Sequence, residues 1–177
     1  IRGEAVSFTG GVPTIWTMYL AHLEATGGDT GTLKRIMIGG SAVPRAMAES
    51  FKADHDVDVL QLWGMTETCP LGVIATPTPA VADLGEAAMQ DILWTRQGRL
   101  QFGVEMRILG EDGHPCPHDG ATAGALQVRG PWVVQRYFRQ PADCTDVDGW
   151  FDTGDVATLD AQGFMRITDR TKDVIKS

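Results

Sequence analysis

The sequence predicts an α/β protein in two parts: a parallel α/β portion over residues 1–90, then a small antiparallel, distorted β-barrel over residues 91–177. Three observations predict it. In the first half, short apolar runs alternate with helical stretches opened by proline, the pattern of strands joined by crossover helices. After Gly98 the apolar period becomes two, as on the pleated face of an antiparallel sheet. Glycine supplies 21 of the 177 residues, above its usual share of about 7%. It gathers at the joints, which implies many short elements.

Taken in order, Pro13 suits the first position of a helix, where its missing N–H costs nothing. Ile15, Met18, Tyr19 and Leu23 recur at helical spacing and form one apolar stripe. The loop Thr26 to Thr32, with Gly27, Gly28 and Gly31, ends that helix. Arg35 to Ile38 reads as a strand entering the sharp turn Gly39-Gly40-Ser41. Pro44 opens a second helix to about Asp54, and Val57 to Leu62 is the next strand, delivering the Trp63-Gly64 turn. Thr76-Pro77-Thr78-Pro79 is extended or turn-like, because the residue before a proline avoids the helical region. Ala80 to Leu93 reads as a helical stretch, and the boundary between the two parts falls between about residues 80 and 96. Beyond it, Val104, Met106 and Ile108 alternate with Glu105 and Arg107, and Asp112-Gly113 supplies a hairpin turn. Ala125 to Val128 and Phe164 to Ile167 are further strands, the second entered through Asp160-Ala161-Gln162-Gly163.

Composition excludes several function classes. A net charge of -8 and a pI near 4.8 argue against a nucleic-acid groove or a polybasic membrane patch and favour a small-molecule partner. No apolar run approaches the roughly 18 residues of a membrane span, so no transmembrane segment is expected. The three cysteines, Cys69, Cys116 and Cys144, form no C-x-x-C pair and support neither a zinc ribbon nor a disulfide framework. A cytoplasmic, reducing setting is expected, with peripheral membrane association left open. The four histidines show no ligand spacing. The chain begins at Ile1 and stops after an apolar run, so a piece of a longer polypeptide is expected.

Four segments carry chemistry. In Trp63-Gly64-Met65-Thr66-Glu67 the glycine lets backbone approach a ligand, the indole offers a flat face to a purine, and the hydroxyl and carboxylate suit a phosphate oxygen and Mg²⁺. On its own this is equally an ordinary turn before a helix start. Gly39-Gly40-Ser41-Ala42 lacks the third glycine of a dinucleotide fingerprint and reads as a tight strand-to-helix turn. Gly149 to Asp155 reads as a strand running into a glycine turn. It sets Asp152 and Asp155 around a Thr-Gly step, and either carboxylate can accept from a ribose diol; an Asp-rich β-turn is the plain alternative. Asp169-Arg170-Thr171-Lys172-Asp173 follows an apolar strand, so Arg170 and Lys172 share one side of an extended chain, although such charge runs are usually solvated surface.

In this order, with Val12-Pro13-Thr14, Gln61-Leu62, Gln97-Gly98-Arg99, Gly103 to Ile108 and Gly163 to Lys172, these segments resemble the adenylate-forming (AMP-binding) superfamily. That superfamily holds acyl-CoA synthetases, luciferases and peptide-synthetase adenylation domains. The closest resemblance is to bacterial medium- and long-chain fatty-acid–CoA ligases, of which this chain would be an internal fragment of the large N-terminal domain. The resemblance implies a parent that activates a fatty acid or other small carboxylate with ATP and Mg²⁺ through acyl-AMP, and then passes it to CoA as co-substrate. It implies that Gly40, Ser41 and Ala42 line an adenine pocket, with Leu62, Trp63, Gly64 and Met65 beside the base. Thr66 would touch the α-phosphate and Glu67 would hold the metal. Asp155 would grip the ribose hydroxyls with Ile167 packing nearby and Arg170 reaching the ribose, and Lys172 would be a hinge. The helix begun at Val12 and the Gly39-Gly40 turn would border the acyl tunnel. The superfamily's phosphate loop would precede Ile1 and its adenylating lysine would follow Ser177, so an inactive isolated fragment is expected. A non-catalytic nucleotide-binding module, or an adenylation domain with another acyl acceptor, is the alternative. Acyl chain length and oligomeric state are not legible.

Overall fold

The computed structural model describes residue 1 and residues 3–170; the hinge candidate Lys172 lies outside them. The described chain divides into two units: Ile1–Trp63 with Ala75–Thr95, and Gly64–Ile74 with residues 96–170.

In the first unit β1 (Phe8–Gly11), β2 (Arg35–Ile38) and β3 (Asp58–Trp63) pair in parallel. Parallel neighbours need crossovers. These are α1 (Pro13–Thr26), between β1 and β2, and α2 (Arg45–His55), between β2 and β3. Pro13 is in the first turn of α1, and Gly27 ends the helix at φ 62°, the left-handed conformation that glycine enters most cheaply. The strand β1 was not anticipated, since Gly10-Gly11 carries no β-branched signal.

The apolar stripe of α1 is buried only in part, and Trp16 outside it is buried. Trp16 and Leu23 are buried, whereas Ile15 is 56% and Met18 69% exposed. The helix is apolar on most sides, so spacing alone fits two stripes. Packing decides between them. The Trp16 ring meets Phe51 edge-on at 5.9 Å and Tyr19 at 6.1 Å, and Trp16 joins Ile36, Ile38, Ala48, Phe51 and Val59 in one core.

The 80–93 stretch is two helices, α3 (Pro79–Ala82) and α4 (Glu86–Thr95), separated at Gly85, whose φ is 88°. Buried Gln61 on β3 donates its amide to the Trp94 and Leu93 carbonyls. This satisfies acceptors that the end of a helix leaves open. Gln61→Leu should therefore lower stability by about 1–3 kcal/mol, read as an earlier urea midpoint at unchanged slope; an unmoved midpoint would refute this role.

In the second unit β4 (Val73–Ile74) pairs antiparallel with β5 (Arg99–Leu100). A four-stranded antiparallel sheet follows in chain order: β6 (Glu105–Leu109), β7 (Gly124–Arg129), β8 (Phe151–Leu159) and β9 (Met165–Arg170). Its buried side chains include Ile108, Leu126, Val128, Phe151, Leu159, Phe164 and Met165. The turn into β9 is organised by buried Asp160. Its Oδ1 accepts from the Gln162 and Phe164 N–H groups at 2.9 and 2.8 Å, and its other oxygen pairs with Arg96. Among the described residues no helix is long and apolar enough to cross a membrane.

One expectation is corrected here. Residues 152–155 are not a turn after a strand; they lie inside β8. Ala125 pairs with Val156 and Gln127 with Asp152, so Thr153, Gly154 and Asp155 face the single residue Leu126. This is a bulge, a device that re-aims side chains beside functional sites. Gly154 supplies its φ of 73°, and the Thr153 hydroxyl donates to the Leu126 carbonyl (2.9 Å) and accepts from the Asp155 N–H (3.1 Å). The approach to β8 is pinned as well: the Arg107 and Arg129 guanidinium groups both lie over the Trp150 ring, at 4.4 and 4.5 Å. Asp146 accepts from the Trp150 and Asp148 N–H groups and from Arg107. Those bonds, the one from Trp150 foremost, hold its carboxyl below the usual carboxylate range.

Candidate functional site

In the first unit the predicted residues gather where β2 and β3 end. Ile38 and Gln61 are register partners, so the Gly39–Ala42 turn and the Leu62-Trp63 step leave adjacent strands at their carboxyl ends, where open α/β sheets place ligands. A Cβ at Gly39 would fall on the Leu62 side chain, so glycine there lets the turn close over β3. Gly40 has φ 89°, and Gly40, Ser41 and Ala42 are exposed. Trp63, expected to offer its face to a base, is 8% exposed. A cavity of about 250 Å³ lies at the opposite ends of these strands, lined by Arg35, Asp58, Leu60, Met89 and Trp94 among others. It contains none of the predicted residues.

In the second unit Gly64 and Met65 lead into a single 3₁₀ turn, Thr66–Thr68. The buried Thr68 hydroxyl fixes it by accepting from the Met65 N–H (2.9 Å) and donating toward the Met65 and Pro70 carbonyls (3.0 and 2.9 Å). Thr66 is exposed on that turn and Glu67 half-buried. The Tyr137 hydroxyl donates to Glu67 Oε1 at 2.9 Å, and the Val134 N–H donates to the Glu67 carbonyl at 2.8 Å. The bond to Glu67, with burial and the nearby carboxylate charge, holds the Tyr137 phenol above the usual tyrosine range. It therefore stays protonated at neutral pH and donates a hydrogen bond.

The bulge of β8 places Asp155 at 4% exposure. Arg170, its register partner on β9, sets Nε 3.1 Å from Asp155 Oδ1. Ile167 lies opposite Ala157 on the same strand pair, and its N–H donates to Gln97 Oε1 at 2.7 Å. Asp152 is exposed and accepts from the Gly154 N–H at 2.9 Å. The two carboxylates flanking Thr153-Gly154 thus differ: Asp152 closes a local turn of backbone, while Asp155 is buried beside a cation. Arg170 and Asp155 are brought together, as are Glu67 and a residue that the sequence did not single out, Tyr137. Gln97, quoted in the Gln97-Gly98-Arg99 segment but given no role there, holds the backbone of β9. No local spacing could reveal either contact, because each joins positions 70 residues apart.

The donors fit the groups expected of them. A carboxylate and a hydroxyl on one turn are hard oxygen ligands of the kind Mg²⁺ takes. Glu67 Oε1 is engaged by a neutral phenol, which leaves the carboxylate its charge.

Comparison with known proteins adds the following. A family model described as AMP-binding enzyme matches residues 1–138. A 3-methylmercaptopropionyl-CoA ligase of Ruegeria lacuscaerulensis is 46% identical over 172 residues, covering 97% of this chain and 32% of its own. A medium-chain-fatty-acid–CoA ligase of Ectopseudomonas oleovorans is 43% identical over 177 residues, covering 100% of this chain and 32% of its own. The chain thus spans about a third of the length of these relatives. Among solved structures, O-succinylbenzoate coenzyme A synthetase of Bacillus subtilis in complex with ATP and magnesium ion superposes with a TM-score of 0.74 at 28% identity. The match covers 98% of this chain and 33% of that one.

Proposed function

Because the chain belongs to the AMP-binding enzyme family, we propose that it forms part of an ATP-dependent acyl-CoA ligase whose acid is a fatty acid. In that reaction the acid's carboxylate oxygen attacks the α-phosphorus of ATP and pyrophosphate leaves. The CoA thiol then attacks the acyl carbon, the acyl–phosphate bond breaks, and AMP leaves. The observation that carries the reading is the pair of carboxylates in the second unit, each with a distinct partner: Asp155 buried against Arg170 and Glu67 against Tyr137.

Chemistry of this kind depends on positioning and charge neutralisation. Asp155, buried beside Arg170, accepts from ribose hydroxyls, and its place in a bulge between two paired strands keeps it from turning away. Ile167 gives the nucleoside an apolar neighbour and Arg170 adds a donor at the ribose edge. Gly40, Ser41, Ala42, Leu62 and Trp63 of the first unit are assigned to the base, as are Gly64 and Met65 of the second; Thr66 would donate to the α-phosphate, and Glu67 would hold Mg²⁺, which when bound neutralises phosphate charge. Lys172 serves as the hinge. Support for a fatty acid is the 43% identity, over the whole chain, to a medium-chain-fatty-acid–CoA ligase, and the 46% identity to a 3-methylmercaptopropionyl-CoA ligase makes that acid the competitor to test. The three cysteines are free, which suits the cytoplasm.

The test is a panel of carboxylic acids given to the complete polypeptide with ATP, Mg²⁺ and CoA, with pyrophosphate, hydroxamate-trapped acyl-adenylate and acyl-CoA followed separately. The expected result is acyl-CoA formation with the highest kcat/KM on medium-chain acids. A maximum at 3-methylmercaptopropionate or an aromatic acid would keep the ligase and overturn the fatty-acid assignment. Acyl-adenylate without acyl-CoA would point to another acceptor, and nucleotide binding without pyrophosphate release to a non-catalytic module.

A further inference from the structure

We propose that Tyr137 is a positioning residue for Glu67, holding one carboxylate oxygen so that the other faces a divalent cation. This rests on the nucleotide-binding reading and deepens it. The loop from Gly130 to Cys144 grips Glu67 twice: Val134 N–H takes its carbonyl (2.8 Å) and Tyr137 OH its Oε1 (2.9 Å). The loop is itself closed, by the Cys144 N–H on the Gln135 carbonyl at 2.8 Å and by Arg136 Nε on Asp143 at 2.8 Å. Tyr137 therefore arrives from a braced segment rather than a wandering side chain.

The chemistry of the donor matters. A glutamate carboxylate ends a chain of freely rotating bonds, and one bond to a fixed partner selects a single orientation for it. An arginine or lysine in that place would orient it equally well but offset the charge that a cation ligand needs. A phenol orients without neutralising. Carboxylates that bind metals are commonly held in this way by an outer partner, whose removal costs about 10–100-fold in metal affinity. Among the described residues the Glu67 side chain is engaged at Oε1 alone, so Oε2 keeps no partner there.

The experiment uses the complete polypeptide with Mn²⁺ in place of Mg²⁺ and a non-hydrolysable ATP analogue, bound Mn²⁺ being read by electron paramagnetic resonance. Tyr137→Phe should weaken Mn²⁺ about tenfold, leave cation-free binding of the analogue and the melting temperature as in wild type, and raise the Mg²⁺ needed for half-maximal rate with kcat recovering at saturation. Unchanged Mn²⁺ affinity would overturn the proposal. So would equal loss of nucleotide binding with and without cation, or a clearly lowered melting temperature, each of which would assign Tyr137 to loop packing. Glu67→Gln, measured alongside, separates the two levels. If it too binds Mn²⁺ as wild type, the metal role of Glu67 fails. If it loses the cation while Tyr137→Phe does not, only Tyr137 falls.

Discussion

Glu67→Ala is expected to lower kcat/KM for ATP by at least about a hundredfold in the complete polypeptide, with pyrophosphate release as the readout. The size follows from what the side chain does and what stands near it. Its turn is fixed by Thr68, and its backbone carbonyl is held by Val134 whatever the side chain is. Truncation therefore removes the carboxylate without collapsing the loop. Glu67→Gln makes the sharper comparison. It keeps the length and an oxygen that can accept from Tyr137, so its melting temperature should match wild type, yet it lacks the charge that draws a hard cation. Its rate should rise as Mg²⁺ is raised, while that of Glu67→Ala should rise less. Pyrophosphate release at the wild-type rate by both variants would remove Glu67 from the site.

Parts of this arrangement were open to reading from the sequence and parts were not. The parallel unit was legible because Pro13 and Pro44 mark where helices begin and Arg35–Ile38 and Asp58–Trp63 are compact apolar runs between glycine joints. The β1 strand was hidden by its two glycines, which strand propensity disfavours and which only the pairing with β2 makes extended. On α1, periodicity found the helix and an apolar stripe, of which Leu23 is buried and Ile15 and Met18 are exposed, but it missed Trp16. An apolar stripe is ambiguous when most sides are apolar, and the edge-on contact of Trp16 with Phe51 settles it. Residues 152–155 have turn composition and yet lie in a strand, because Thr153 and Gly154 build a bulge that local propensity does not register. Motif order pointed to Glu67, Asp155 and Arg170, and included Gln97 without a role, whereas the contacts of Tyr137 and Gln97 are tertiary and invisible to any window. Motifs name the groups that touch a ligand more readily than the groups that hold them in place.

Gly64→Ala is expected to be the most damaging single methyl in the chain. A Cβ there would overlap the Pro70 carbonyl, and it would lie 2.8 Å from the Pro70 carbonyl carbon and 3.0 Å from Leu71 Cα. These are backbone atoms and have no rotamer to escape into. Nor is the segment free to retreat, because Pro70 O is an acceptor of the buried Thr68 hydroxyl, and the Gly72 carbonyl two residues on accepts from Gln101 N–H at 3.2 Å. Relief requires giving up that network or shifting Met65–Glu67, so the cost should reach about 3 kcal/mol or more. For a domain of this size that is roughly 6–12 °C in melting temperature. Two other glycines calibrate the claim. At Gly39 the new methyl would meet chiefly the Leu62 side chain, which can turn, so Gly39→Ala should cost less. At Gly154 nothing lies within 4 Å and only the φ of 73° opposes alanine, a penalty of about 1 kcal/mol. Thermal melts of the three variants should therefore rank Gly64 well below the other two, and nucleotide affinity should fall with Gly64→Ala because the same displacement moves Thr66 and Glu67. A Gly64→Ala protein that melts with wild type would mean that the Gly64–Pro70 contact does not exist, and with it the fixed turn on which Glu67 is presented.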